Sequence, residues 1–354
     1  MKILFVVPRF HTNLSAALSG LLAAGIDARV VSSRTELIED HTVIEPVVVP
    51  KGKQSLTFLK ALLKDISPDA VVLRNTGSLS WRIHLLARLE HIPVIGYQLR
   101  PVNKPRSIAR LALETLWSGL PVWRFSPVMG LKRDGNRQDR YSRYLPLPVY
   151  QSTPGVARKT GPNGPLRILC VAKIAQPRKR HLLLLDALER LKDETDFRLT
   201  LIGADTQQVS GFSDQYLEKL TDRLLNGPLK SKITLLTNVP PNQMAEHYLN
   251  HHICVLPADR EPLGISPLEA MAFGTVPLTS TGTGSSGTIE MAGDDMVFQA
   301  GNVDDLHARL AAFASDRQHL ETLGQQVQEF AQKNLAPKRF AEDLLQFIMD
   351  FKNR

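Results

Sequence analysis

Residues 255–280 read VLPADREPLGISPLEAMAFGTVPLTS, an apolar run, a loop, a helix start and a second apolar run. The apolar run 253–256 is too short and too β-branched for a helix, so it reads as a buried strand that ends at Pro257. A loop, 258–265, follows. Ser266, Pro267 and Glu269 then carry the pattern of a helix start. Ser266 can cap, Pro267 suits the first helical position, and Glu269 lies three residues past the cap, as a capping box requires. Gly274 stands where a short helix should stop, and the apolar run 276–279 is the next strand. Strand, loop, short helix and strand, with continuous rather than alternating apolar strands, are the parts of a parallel sheet covered on both faces.

The same alternation extends in both directions. Downstream of 165 the periodicity predicts strands over 166–172, 198–202, 233–236, 253–256 and 276–279, with helices over 182–191, 216–225 and 243–249 between them and three more, 304–314, 319–332 and 337–351, at the end. Upstream, strands over 1–7, 28–31, 70–73 and 93–96 alternate with helices over 14–24, 56–64 and 79–90; the stretch 108–127 reads as a helix joined to a late strand. Between them, 151–165 (QSTPGVARKTGPNGP) is polar and rich in Pro and Gly, the composition of a linker. The expected fold is therefore α/β: two doubly wound Rossmann-like domains, 1–155 and 156–335, facing across a cleft, with ligands outside the carboxyl ends of the strands. The last helix, 336–354, has an apolar face at Phe340, Leu344, Leu345, Ile348 and Phe351.

Composition narrows the class. At 43% hydrophobic and 22% charged, the chain reads as an ordinary globular protein. No apolar run reaches the ~20 residues of a spanning helix. Cys170 and Cys254 both fall inside strand-like runs, which gives neither a disulfide framework nor a zinc site and points to a reducing cytoplasm. The formal net charge of +8 belongs to the first half, where residues 1–157 hold 21 Lys and Arg against 11 Asp and Glu. Either this is ordinary solubility charge or the half meets an anionic partner: acidic lipid, anionic glycan or nucleic acid. No basic helix with interleaved aromatics is present, so nucleic acid is not expected. Ten basic residues between Arg100 and Arg143 lie among Leu111, Leu113, Leu116, Trp117 and Trp123, a mixture that suits the edge of an anionic membrane. The rival reading makes the Trp and Leu residues core and the charges a solvated face.

The loop 261–265 can hold a diphosphate and the sugar beyond it. A helix N-terminus offers unpaired N–H groups and partial positive charge, and Gly264 lets backbone approach a ligand. Glu261 and Glu269 are placed to accept hydrogen bonds from a diol, although singly they read equally well as a loop charge and a helix cap. In the first strand–helix turn of this half, Lys173, Arg178 and Lys179 can neutralise a leaving diphosphate without a metal. No Asp, His or Cys cluster near the motif has ligand spacing, and the adjacent His251 and His252 suit no single metal site; no metal is expected. The Gly-rich loop 281–287 (TGTGSSG) fits either a donor contact or ordinary turn chemistry.

This run resembles the donor-binding motif of glycosyltransferase family 4 and its relatives of the GT-B fold, E-P-x-G-x-x-x-x-E-A-M-A-x-G, through Glu261, Pro262, Gly264, Glu269, Ala270, Met271, Ala272 and Gly274. The resemblance implies a retaining, metal-independent transfer of a hexose from a nucleotide-diphosphate sugar, UDP ahead of GDP, to a glycan or lipid-linked acceptor. It assigns Glu269 to the ribose, Glu261 to the transferred sugar, the backbone of Leu263, Gly264, Ile265 and Ser266 to sugar and phosphates, and Lys173 and Lys179 to the leaving group, with Arg178 as the alternate. It also implies that the last helix packs back on the N-terminal domain. The first half departs from the family: Pro8 to Asn13 replace a Gly-Gly pair, and Arg74-Asn75 stand where a histidine is usual. Arg9, His11 and Arg74 are therefore the acceptor-side candidates. The expected setting is the cytoplasm, peripheral on the inner face of the membrane. The competing activity is a nucleotide-sugar 2-epimerase of the same fold. The sequence does not decide the oligomeric state.

Overall fold

The structure is a computed structural model that describes residues 1–34, 42–74, 77–118, 121–152, 160–161, 163–204 and 211–352. Asn75 and the Trp117 side chain lie outside the described residues. The chain divides into two compact units, Met1–Val149 with Asn334–Arg354, and Tyr150–Lys333.

The first unit holds strands β1 (Lys2–Arg9), β2 (Asp27–Arg34), β3 (Val47–Val48), β4 (Ala70–Arg74), β5 (Val94–Tyr97), β6 (Arg124–Ser126) and β7 (Ser142–Tyr144), with helices α1 (Ser15–Ala23), α2 (Leu56–Ile66), α3 (Ser78–Leu89) and α4 (Ile108–Ser118). The strands form one seven-stranded sheet in the order β3-β2-β1-β4-β5-β6-β7, every pairing parallel. Continuous apolar strands explain the burial: Ile3 to Val7 and Ala70 to Leu73 are each at most 1% exposed, so both sheet faces are covered. Strand β1 outruns its expected end. It passes through Pro8 and pairs Arg9 with Arg34 of β2, while its pairing with β4 runs from Ile3 to Val6; the missing Pro8 N–H therefore costs no bond to β4.

The second unit holds β8 (Leu166–Val171), β9 (Phe197–Gly203), β10 (Ile233–Thr237), β11 (Ile253–Leu256), β12 (Val276–Ser280) and β13 (Val297–Phe298), with helices α5 (His181–Leu191), α6 (Asp214–Asn226), α7 (Met244–Leu249), α8 (Ile265–Ala272), α9 (Ser286–Ala292), α10 (Val303–Ser315) and α11 (Arg317–Asn334). Its parallel sheet runs β10-β9-β8-β11-β12-β13. The order reverses between β8 and β11, so the loops leaving these two strands flank the switch point where such sheets bind ligands. In the first unit the reversal falls between β1 and β4.

Helix α12 (Pro337–Lys352) belongs to the first unit. Gly20 of α1 has no side chain to separate it from Pro337: a Cβ there would lie 2.2 Å from the Pro337 carbonyl oxygen. Phe340, Ala341, Leu344, Phe347 and Ile348 are buried. Phe340 meets Phe125 edge-on, Phe347 and Phe351 meet Trp123, and Arg143 pairs with Asp350 at 2.8 Å.

Candidate active site of the second unit

The loop after β8 contributes the cations. Residues Pro177–Lys179 form a single 3-10 turn, closed by Arg180 in the left-handed region at φ 56°, and this turn aims successive side chains in different directions. Lys179 is 8% exposed. Its ammonium donates to Glu261 Oε2 at 2.5 Å, and the Arg178 guanidinium donates to the same oxygen. Arg180 turns away to pair with Asp259, while the Asp259 N–H bonds the Arg178 carbonyl at 3.0 Å. The β8 and β11 loops are thus joined by backbone and by ion pairs, and three sequence-predicted residues, Arg178, Lys179 and Glu261, meet at one point. Lys173 stands two residues past the end of β8, where its carbonyl accepts the Gln176 N–H.

The cluster is poised electrostatically. Burial alone would raise the Glu261 carboxyl, but the Lys179 ammonium and the Arg178 guanidinium outweigh it and hold the group below its ordinary value. Burial pulls Lys179 down from the usual lysine value, and Glu261 offsets part of that. His181, buried behind them, is pushed down to about 4, first by desolvation and then by Lys179, so it is neutral at pH 7. Two cations sharing one carboxylate leave positive charge uncompensated, which an arriving diphosphate can neutralise.

Glycines set the shape of the Glu261 loop. Gly264 adopts φ 73° directly before α8, and a Cβ there would come within 2.5 Å of the Thr283 methyl. The loop 281–285 lies against it backbone to backbone: Glu261 N–H to the Gly282 carbonyl at 3.0 Å, Gly284 N–H to the Glu261 carbonyl at 2.8 Å, and Ser285 N–H to the Leu263 carbonyl at 2.7 Å. Gly282 and Gly284 allow this approach, since a Cβ on either would sit about 2 Å from a backbone oxygen of the facing loop. The Gly-rich segment is therefore a buttress for the Glu261 loop, and its last residues open α9, a helix the sequence reading did not resolve.

The expected capping box is corrected. The residue before α8 is Gly264, and no side chain caps the helix. The Ser266 hydroxyl instead donates to the Val171 carbonyl at 2.9 Å, tying α8 to the end of β8. Glu269 reaches no cap either. Its carboxylate accepts a 2.6 Å hydrogen bond from the Tyr248 hydroxyl. Burial raises the Glu269 carboxyl above its ordinary value, and the Tyr248 bond pulls it part of the way back. Tyr248, stacked on Phe273, was missed. It lies one residue from the end of the six-residue α7, and nothing local separates it from a core aromatic; only its place opposite Glu269 gives it a role. His251 and His252 are buried, with His251 bonded to the His247 carbonyl and to Thr200 and His252 to the Arg167 N–H, which is structural work.

The acceptor-side candidates lie in the first unit, at the carboxyl ends of its two central strands. Arg9 Nε lies 3.0 Å from His11 Nε2, and the Arg74 guanidinium sits over the Tyr97 ring at 5.4 Å.

Residues 156–330 match the family model of the glycosyl transferases group 1. The chain is a glycosyltransferase. Solved structures carry the likeness over its full length. A glycosyltransferase from Rickettsia africae ESF-5 superposes with a TM-score of 0.74 at 12% identity, covering 99% of this chain and 98% of that one. Alr3699/HepE of Anabaena, solved in complex with UDP and glucose, gives 0.71 at 16% identity over 99% and 100% of the two chains. The lipopolysaccharide outer core galactosyltransferase WaaB, in its apo form, gives 0.69 at 13% identity over 99% of each. No curated protein sequence matches. At these identities the structures establish the GT-B fold of this glycosyltransferase, two Rossmann-like α/β units, as expected. Among its described helices none is long and apolar enough to cross a membrane.

Proposed function

We propose that this glycosyltransferase takes a hexose from a nucleoside diphosphate donor, UDP in preference to GDP, without a metal and with retention at the anomeric carbon. The observation that carries the reading is the meeting of Lys179, Arg178 and Glu261 at the switch point of the second sheet, beside the N-terminus of α8. The diphosphate takes the cations, the Leu263–Ser266 backbone approaches the phosphates, and Glu261 is released to the sugar hydroxyls. Glu269, oriented by Tyr248, accepts from the ribose diol. As the bond from C1 to the phosphate oxygen breaks, Lys179, Arg178 and Lys173 stabilise the departing charge. The acceptor hydroxyl oxygen bonds C1 on the same face, and its proton passes to a donor phosphate oxygen. The UDP preference rests on the likeness to HepE, whose structure holds UDP.

The acceptor is proposed to be a glycan or lipid-linked glycan bound by the first unit near Arg9, His11 and Arg74, with the enzyme peripheral on an anionic membrane. Structure divides the residues behind the membrane reading. Leu111 is buried and the half-buried Trp123 packs on Phe347 and Phe351, so neither is a free surface anchor, whereas Leu113 and Leu116 of α4, with the neighbouring Ile108, are 64%, 82% and 80% exposed. That face supports the surface role.

A thermal-shift panel of UDP, GDP and ADP in excess EDTA tests the donor reading. UDP is expected to raise Tm most, because a ligand bound only by the folded state stabilises it by mass action. Stabilisation that appears only after manganese or magnesium is restored contradicts the metal-free site. UDP-N-acetylglucosamine that returns with C2 inverted, and no acceptor present, assigns the epimerase activity instead.

A further inference from the structure

In the first unit a cavity of about 190 Å³ lies beside α4, lined among others by Gln98, Arg100, Arg106, Arg110, Arg124 and Ser142. Its charge is unusual. Glu114 of α4 receives four guanidinium groups: Arg124 at 2.8 Å, Arg100 at 3.0 Å, Arg110 at 3.2 Å and Arg106 at 3.4 Å. Arg106 also donates to Asp139 at 3.1 Å and to the Ser142 hydroxyl at 2.6 Å, and Lys104 pairs with Asp134 at 3.2 Å. Five cations thus meet three carboxylates, leaving two positive charges unmatched among the described residues. Arg124 is the innermost. It is a β6 residue 4% exposed, its Nη1 bonded to Glu114 and to Gln98 Oε1, while its Nε is buried without a hydrogen-bond partner among the described residues. Surplus guanidinium charge around a cavity favours an anionic occupant.

We infer that this cavity binds a phosphate monoester. Such a group carries about 1.5–2 negative charges at pH 7 and three acceptor oxygens, which matches the surplus charge and the several guanidinium donors that line the cavity. A single carboxylate would leave charge over. Planar guanidinium forks suit tetrahedral phosphate oxygens in pairs. Arg100 and Arg110, exposed at the mouth, can turn from Glu114 to the ligand, and Arg106 and Arg124 form the floor. The phosphate has two possible sources: a phosphorylated glycan in solution, or a lipid headgroup presented to the exposed apolar face of α4. The residues of this cavity all belong to the first unit, those of the donor site to the second.

Calorimetry with inorganic phosphate at low ionic strength tests the site in the full-length protein. Arg124→Gln, and separately the exposed pair Arg100→Gln with Arg110→Gln, are expected to weaken binding about tenfold or more, the scale of a lost charge-assisted hydrogen bond. Arg178→Gln is the control: a binding component that it removes belongs to the second unit. Should Arg124→Gln fail to fold, the exposed pair carries the test. Glucose 6-phosphate and phosphatidate vesicles then separate the sources, since binding of either that depends on the same arginines supports the site and names its ligand. Wild-type protein that binds no phosphate, or binding that both sets of first-unit variants retain, overturns it.

Discussion

Lys179→Ala is expected to lower kcat by about 10²–10³-fold, the scale for losing one electrostatic stabiliser of a developing charge, and to raise KM much less. The reason is where its charge is spent. In the free enzyme the buried Lys179 ammonium is bonded to Glu261, and negative charge on the diphosphate grows as the bond to C1 breaks, so the interaction strengthens toward the transition state. Removing it also leaves the Glu261 carboxylate with Arg178 as its remaining counter-charge in this cluster. The Arg178 side chain is 38% exposed against 10% for Lys179, so it is better screened and is expected to cost less when removed. Steady-state kinetics with the nucleotide sugar that the wild-type enzyme turns over decide the point. Near-normal turnover in Lys179→Ala would place the leaving-group charge on Arg178 and Lys173.

Truncation after Leu335 is expected to leave the first unit unfolded or insoluble. Burying a large apolar side chain contributes about 1.5–3 kcal/mol, and α12 buries Phe340, Leu344, Phe347 and Ile348. Their sum is comparable with the whole stability of a domain, about 5–15 kcal/mol. Truncation would also open the α1 face around Gly20 and uncover Trp123 and Phe125. Far-UV circular dichroism and sedimentation of the shortened chain measure this. A truncated protein as soluble and as stable as the full chain would reduce α12 to an appendage.

Much of the fold was legible because its central strands are continuous apolar runs, a pattern that needs no partner to be recognised. Three of the four sheet edges were not. Strands β3, β7 and β13 have two or three residues each, and β7 is Ser-Arg-Tyr, so their pairing depends on neighbours distant in sequence. At the site, the Glu261 loop and its cations were legible from residue type and spacing. What Ser266 and Glu269 do was not. Their spacing fits a capping box, but α8 starts two residues early, after Gly264 at φ 73°, and the side chains bond Val171 and Tyr248, which are 95 and 21 residues away. The same limit hid the role of Gly282 and Gly284, which is set by a facing loop.

Glu269 is proposed to hold the ribose of the donor, and a titration with UDP from pH 5 to 8 reads the state of its carboxylate. The carboxylate is the form that accepts hydroxyl hydrogen bonds. Because burial raises its protonation midpoint, donor affinity should be full above that raised value and fall as pH drops through it, over a range above that of an ordinary glutamate. Glu269→Gln should weaken binding by about 1–3 kcal/mol and flatten the profile. Tyr248→Phe, which removes the bond that lowers the midpoint, should move the fall to higher pH. Wild-type affinity in Glu269→Gln, with the same pH profile, would place the ribose elsewhere.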